Sequence, residues 1–378
     1  MDLTPTPDEQ AFRDEVRAWL EANHPGPEPQ GDDTAKFVFQ REWQGKLHEG
    51  GWAGISWPKE YGGRGAGLVE QTIFSEEMAR LEAPRPANVL GLIMGGPVVI
   101  AHGNEDQKER FLEPILSAEE IWCQGFSEPE SGSDLASLKT KAVKDNGGWR
   151  ITGQKVWTTF AHEAKWCMLL ARTDPDVPKH KGITYFILDM EQDGVDVRPL
   201  RQITGEAEFN EIFLEEAYVP DENRIGEVGN GWMVGITTLM HERAGLGAAS
   251  AMSLRRDLDA LIELIRERGL GEDPLIRERI ARLQISTEAL RLGGLRSLTQ
   301  TMRTGIPGPE GSLSKWQWAT ANQALTELAT EVMGTEGLQS SEWTYKFLRS
   351  RANSIEGGTT EVMKNIIAER VLGLPRLR

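Results

Sequence analysis

The spacing of apolar and polar positions divides the chain into three stretches. Near the amino terminus Phe12, Val16, Trp19 and Leu20 recur at helical intervals. Thr6, Pro7 and Glu9 before them spell an N-cap, a proline at the first helical position and a capping-box acid. After a Pro/Gly-rich break between Asn23 and Asp33, helical patterns resume around 35–50 and 68–82. Residues Gly91 to Leu116 also read as helical, ending in the polar turn Gly103-Asn-Glu-Asp-Gln-Lys. The period then shortens to two. Lys139–Val143, the turn Asp145-Asn-Gly-Gly148 and Trp149–Thr152 predict a hairpin. Strand-like runs follow at Lys165–Ala171, Ile183–Met190, Val195–Leu200 and Glu208–Phe213, and from Gly231 long helical patterns return. The expected architecture is mostly α with a small central β domain: a helical domain over 1–120, a β domain over 121–228 and a helical bundle over 229–378.

Composition narrows the setting. With 378 residues, 39% of them hydrophobic, the chain can bury a large core. No apolar run has the length of a membrane span, and the amino terminus lacks a basic segment followed by an apolar one, so the expected location is cytoplasmic. Two cysteines, Cys123 and Cys167, give no disulfide framework. The six histidines show no metal-ligand spacing, so no metal is expected. A net charge of −16 argues against nucleic acid and anionic membranes as partners. A polyanionic ligand needs only a few local cations or helix N-termini and remains compatible. The glycines of Gly62-Gly-Arg-Gly-Ala-Gly67 have no strand before them in a βαβ unit and read as a turn, not a dinucleotide loop.

Two segments carry the chemistry. Gln124-Gly-Phe-Ser-Glu-Pro-Glu-Ser-Gly-Ser-Asp134 supplies backbone donors, the hydroxyls of Ser127, Ser131 and Ser133, and a glycine that permits close approach. Lys155-Val-Trp-Thr-Thr159 adds an aromatic plate and two hydroxyls. Together they suit a planar heteroaromatic ring with polar edges and a phosphate tail. The first segment alone reads equally well as an ordinary Ser/Gly/Pro loop before a strand. In this order the two resemble the flavin-contacting loops of the acyl-CoA dehydrogenase family, T/S-E-P-x-x-G-S-D and W-I-T or W-T-S. Trp57-Pro-Lys-Glu60, with the glycines after it, matches a further family stretch.

The resemblance implies FAD, an acyl-CoA substrate, an electron-transfer flavoprotein as electron acceptor, and a homo- or heteromeric dimer or tetramer. It also implies residue roles. Gln124, Phe126 and Ser127 would contact the flavin ring through backbone groups, Trp157 would cover one face, and Thr159 would approach N5. Ser133 would meet the pyrophosphate and the coenzyme A arm. Gly334 and Gly337 stand in the family's Q-x-x-G-G-x-G motif for the adenylate of a neighbouring subunit's flavin, but with Glu331 for Gln and Thr335 for Gly. The R-x-x-F-G motif for the same cofactor half is not found near Asp273–Arg277. Thr359 and Glu361 would open the last helix beside the flavin.

The reaction implied, abstraction of a proton α to a thioester, needs a carboxylate desolvated enough to act as a base, and donors for the thioester oxygen. In many relatives the base stands in a carboxy-terminal E-G-T motif. Here Ser354-Ile-Glu-Gly-Gly-Thr359 puts Gly357 at that position, with Glu356 one residue early. The second family position, L-x-x-E-R, matches Leu239-Met-His-Glu242-Arg243. Gly235, Thr238, Leu239, Leu246 and Ala249 share the helix face of Glu242. A buried salt bridge would explain that carboxylate too. Glu242 is taken as the base with Glu356 as the alternative, the Gly357 N–H as thioester donor, and Arg243 and Gly358 as substrate-side residues. Gly95 and Gly96 either leave room for a bulky acyl group or serve helix packing. Two other readings accompany this one: a structural or flavin-sharing subunit of a heteromeric acyl-CoA dehydrogenase, and an oxidase or monooxygenase on the same fold.

Overall fold

Helix α1 (Pro7–Asn23) begins where the capping pattern places it. The Thr6 N–H donates to Glu9 Oε2 at 2.7 Å and the Glu9 N–H to Thr6 Oγ1 at 3.3 Å, a reciprocal capping box. Val16 and Leu20 are buried on its inner face. The computed structural model describes residues 5–29, 33–244, 246–304 and 308–376, with the side chains of 33 and 242–249 outside that description. After α1 come α2 (Asp33–Glu49), α3 (Leu68–Arg80), α4 (Gly96–His102) and α5 (Glu105–Ser117). The polar stretch from Gly103 starts a helix instead of ending one. Asn104 Oδ1 accepts from the Gln107 N–H at 2.8 Å and Gln107 Oε1 from the Asn104 N–H at 3.0 Å, so a second capping box separates α4 from α5.

The strands are β1 (Trp122–Gly125), β2 (Lys141–Asp145), β3 (Gly148–Thr159), β4 (Trp166–Arg172), β5 (Ile183–Asp189), β6 (Val195–Leu200), β7 (Phe209–Pro220) and β8 (Arg224–Ile225). Their order is β6-β7-β3-β2-β4-β5-β8, with β1 parallel beside β4. The expected hairpin joins β2 to β3 through Asn146 and Gly147, both at positive φ as a tight two-residue turn requires. At β2 the sheet folds over: β2 pairs antiparallel with β3 and touches β4 only through Lys141↔Arg172. Ile151, Ile212 and Leu214 from one half therefore enclose a core with Leu169, Phe186 and Leu188 from the other. Successive residues alternate faces. Trp166, Met168, Leu170, Tyr185 and Ile187 accordingly point the other way, onto Val98 and Val99 of α4 and Phe111 and Ile115 of α5.

The remaining helices are α6 (Gly231–Ala244), α7 (Leu246–Glu267), α8 (Pro274–Thr304), α9 (Glu310–Met333), α10 (Glu342–Ser350) and α11 (Thr360–Ile366). Leu254, Leu258, Leu261 and Ile265 on α7 and Ala321, Leu325, Leu328 and Val332 on α9 follow the 4-3-4 spacing of one helix face, and they pack together with Leu283 and Leu290 of α8. Among the described residues no helix is long and apolar enough to cross a membrane.

The chain divides into two compact units that do not follow chain order. Met1–Glu21, Leu68–Glu82 and Glu242–Arg378 make one, and Ala22–Gly67 with Ala83–His241 make the other. In the first, α1 and α3 are joined by Glu77, whose side chain is 1% exposed. Its oxygens accept from Arg13 Nη1 at 2.9 Å, Arg17 Nη2 and Nε at 2.9 and 3.0 Å, and Arg80 Nε at 2.7 Å. Burial alone would raise this carboxyl. Hydrogen bonds from Arg17, Arg80 and Arg13 outweigh that and hold it at about 2. A carboxyl depressed on folding contributes stability above its unfolded value and loses it as pH falls toward the folded one. Glu77→Gln is therefore expected to cost about 2 kcal/mol at pH 7. Its deficit against wild type should shrink as denaturant midpoints are taken from pH 5 down to pH 2.

Candidate active site

In the unit built around the sheet, the two polar segments come together. The chain leaves β1 through Phe126, which is buried edge-on against Tyr185, and doubles back in a tight turn in which Glu128 and Ser131 exchange backbone hydrogen bonds. The Val156 N–H of β3 donates to Ser127 O at 3.0 Å. Beneath this crossing lies Lys155, fully buried. Its Nζ donates to Phe126 O at 3.0 Å and to Glu128 Oε1 at 2.9 Å. Glu128 also accepts from the backbone N–H groups of Lys139, at 2.6 Å, and Thr140, at 2.9 Å. Burial would raise the Glu128 carboxyl, but the Lys155 ammonium and these donors pull it below the usual carboxylate range. One ion pair thus ties together the first segment, the strand of the second, and the entry to β2.

Beyond Lys155 the strand bulges. Lys155 pairs with Ile212 and Thr158 with Asn210, so one extra residue is inserted on the β3 side. Trp157 takes up the irregularity at φ +60 and its side chain is 60% exposed, edge-on to Phe209. A tryptophan in that backbone region is strained, and here the strain turns a large apolar plate outward. Thr158 Oγ1 and Gln124 Nε2 are buried and without a hydrogen-bond partner among the described residues. Ser127 and Thr159 are half-buried and Ser133 is exposed. The exposed Asp134 is paired with Lys179 at 2.6 Å.

Sequence reasoning treated Lys155 only as a motif position and counted Thr158 only as one of two hydroxyls, although its side chain is fully buried. A lysine inside a strand that otherwise alternates toward a core, facing a Glu in the companion motif, was the available signal. Gly95 and Gly96, at the start of α4, are accounted for by packing: a Cβ on Gly96 would lie 1.9 Å from the Trp57 ring and one on Gly95 2.9 Å from Trp122. On α6, Gly235 lies against Leu170, Thr238 is fully buried with its hydroxyl 3.4 Å from Tyr185 Oη, and Leu239 packs on the same core. That helix continues through Ala244, and the side chains of Glu242 and Arg243 lie outside the described residues.

In the other unit, Glu356 is held from two sides. Its Oε2 accepts from Arg349 Nη2 at 2.9 Å, and its Oε1 from Asn353 Nδ2 at 2.7 Å and Arg349 Nη1 at 3.2 Å. Arg349, Asn353 and Glu356 line a cavity of about 260 Å³ with Asp257, Lys346 and Trp318. Gly357 and Gly358 follow at φ +61 and +101. Thr359 caps α11, accepting from the Val362 N–H at 3.2 Å, and Glu361 is exposed in its first turn. Gly334 and Gly337 lie in the short 3-10 turn Gly334–Leu338 after α9, where Glu331 is ion-paired with Arg279.

Lys155→Met leaves the Glu128 carboxylate buried without its counter-ion, and a loss of about 3–5 kcal/mol is expected in chemical denaturation. Adding Glu128→Gln should recover part of it, with a coupling energy of about 1–3 kcal/mol in the double-mutant cycle.

Comparison with known proteins agrees along the whole chain. The family models for the acyl-CoA dehydrogenase N-terminal, middle and C-terminal domains match residues 6–119, 123–217 and 229–372. Acyl-CoA dehydrogenase IpdE1 of Mycobacterium tuberculosis is 40% identical over 381 residues, covering 98% of each chain. Among solved structures, the Tcur3481-Tcur3483 steroid ACAD superposes with a TM-score of 0.87 at 29% identity, covering 100% of both chains. The ChsE4-ChsE5 complex from Mycobacterium tuberculosis gives 0.82 at 27%, again over 100% of both. A helical, β and helical order read from hydrophobic periods, a pinned pair of polar segments and full-length similarity thus converge: the chain belongs to the acyl-CoA dehydrogenase family, oxidoreductases acting on acyl-CoA.

Proposed function

We propose that this protein is an FAD-dependent acyl-CoA dehydrogenase that converts an acyl-CoA thioester to the trans-2-enoyl-CoA in the cytoplasm, with an electron-transfer flavoprotein as acceptor. The observation that carries the reading is the cradle around Lys155: the loop after β1 is pinned to β3 by the Lys155–Glu128 pair, and Trp157 is turned outward at the bulge that follows. A flat ring with polar edges suits an exposed aromatic plate next to a fixed loop that holds the unpartnered Gln124 Nε2, and FAD fits that description. The chemistry FAD supplies, when bound, is acceptance of the substrate's β-hydride. Gln124, Phe126 and Ser127 would hold its ring edge, Trp157 a face and Thr159 the far edge. Ser133 would serve the pyrophosphate and coenzyme A arm, and Thr359 and Glu361 the start of α11. Gly334 and Gly337 would meet the adenylate of a neighbouring subunit.

Glu242 is proposed as the base that takes the α-proton, with Arg243 steadying its end of α6. The alternative, Glu356, has both oxygens occupied by Arg349 and Asn353, so neither oxygen is left free to face a substrate. The Gly357 N–H would donate to the thioester oxygen, and Gly358 would line the substrate side. The similarity to a steroid acyl-CoA dehydrogenase suggests a bulky, ring-bearing acyl group. Glu242→Gln is expected to keep its flavin while thioester-induced flavin bleaching slows about 10²–10⁴-fold. Glu356→Gln should bleach at a rate far closer to wild type, and the reverse pattern would move the base to Glu356.

A second reading is favoured by one further observation. Glu331, where the family carries Gln, is ion-paired with Arg279, and similar solved structures are complexes of two named chains. On this reading the chain is one subunit of a heteromeric acyl-CoA dehydrogenase and shares flavin with its partner. Purified alone, it would then be colourless and inactive, and co-expression with a neighbouring acyl-CoA dehydrogenase chain would restore a yellow, active complex. A yellow, active protein from single expression excludes it.

A further inference from the structure

We propose that Lys315, with the Arg349–Glu356–Asn353 cluster, is a positioning device that holds the Gly357 peptide in the orientation of a thioester-oxygen donor. This rests on the reading of Gly357 as that donor.

Lys315 lies on α9 with 2% of its surface exposed. Burying an ammonium is costly unless its protons are received by acceptors. The Lys315 Nζ donates to Asn353 O at 2.7 Å and to Gly358 O at 2.7 Å. These two carbonyls stand five residues apart in the chain and bracket Gly357. The bracketed backbone needs such support. Gly357 and Gly358 both sit in the left-handed region, at φ +61 and +101, and glycines there have the widest freedom of any residue. The charged staple closes both ends of the segment onto one point of α9.

The Gly357 N–H belongs to the peptide plane shared with Glu356, so whatever fixes Glu356 fixes one side of that plane. Its carboxylate is that fixture, receiving three hydrogen bonds from Arg349 and Asn353. On the far side Gly358 sits at φ +101, backbone that residues with a side chain rarely adopt. Among the described residues, the Gly357 N–H donates to no protein acceptor. A donor aimed by rigid neighbours and not spent internally is what stabilisation of a developing oxyanion requires. Glu356 is thereby given a different task from the one its place beside E-G-T suggests: it shapes the loop and exchanges no proton with substrate.

The test uses the flavin-loaded oligomer as isolated, together with its partner chain if it needs one. An enoyl-CoA carrying a ¹³C-labelled thioester carbonyl is bound to wild type, Lys315→Met and Arg349→Met. The carbonyl stretch is read by isotope-edited infrared difference spectroscopy alongside kcat and KM. In wild type the band should fall below its position for free thioester. Both variants should lose a large part of that displacement, and kcat should drop about 10- to 100-fold with KM changed less than about threefold. A variant that loses kcat while the carbonyl band stays at the wild-type position overturns the proposal, as does one with unchanged kcat and band. If Lys315→Met does not fold, Arg349→Met is read by the same criteria. A wild-type band at the free position overturns the assignment of Gly357 as donor instead.

Discussion

The buried pair between Lys155 and Glu128 is the interaction on which the candidate active site depends. A charge pair enclosed in a protein gains little net stability over an apolar equivalent, because desolvation consumes most of the attraction. What it contributes is geometry. Lys155 has two acceptors from the first polar segment, and Glu128 receives two further backbone N–H groups near β2. Moving any of the three chain segments would strand a charge or a polar group in the interior, at a cost larger than most loop motions can bear. The loop is therefore as fixed as the strand beside it. The bulge that follows, with Trp157 at positive φ, is sustained by that rigidity. Strained backbone persists where its surroundings over-determine it.

The same logic appears on the other unit in a different chemical form. Lys315 is also buried, and it donates to the main-chain carbonyls of Asn353 and Gly358 in a glycine-rich segment. Glu77 gathers three arginines from α1 and α3. Each is a single ionised group tying chain segments distant in sequence. In each, the alternative to the observed arrangement is an unpaired charge in a poorly solvated place, which makes the arrangement close to all-or-none.

Much of the architecture could be read before any coordinates. The Thr6–Glu9 capping box, the Asn146-Gly147 hairpin turn and the strand-like run Lys165–Ala171 depend on neighbours a few residues away, and they form as expected. The segment from Gly91 to Leu116 was misjudged for a related reason. Its apolar period is helical throughout, but Asn104 and Gln107 satisfy each other's backbone and start a new helix, a competition that periodicity does not register. The glycines at 95 and 96 were ambiguous because their role is set by Trp57 and Trp122, tens of residues away. No local pattern carries that information.

By itself, then, the sequence determined the order of helical and β stretches, the two polar segments with their family resemblance, and the short menu of carboxylates available for proton abstraction. Those follow from periodicity and residue type, which are properties of the chain. Only the tertiary structure decided that Lys155 lies under the first segment, that Trp157 is turned outward, and that the Glu356 carboxylate is bound by Arg349 and Asn353. The physical reason is burial. A lysine or glutamate in a sequence has the same charge wherever it stands, but its function depends on which groups remain to receive its hydrogen bonds once water has been excluded, and that is settled by packing between distant parts of the chain.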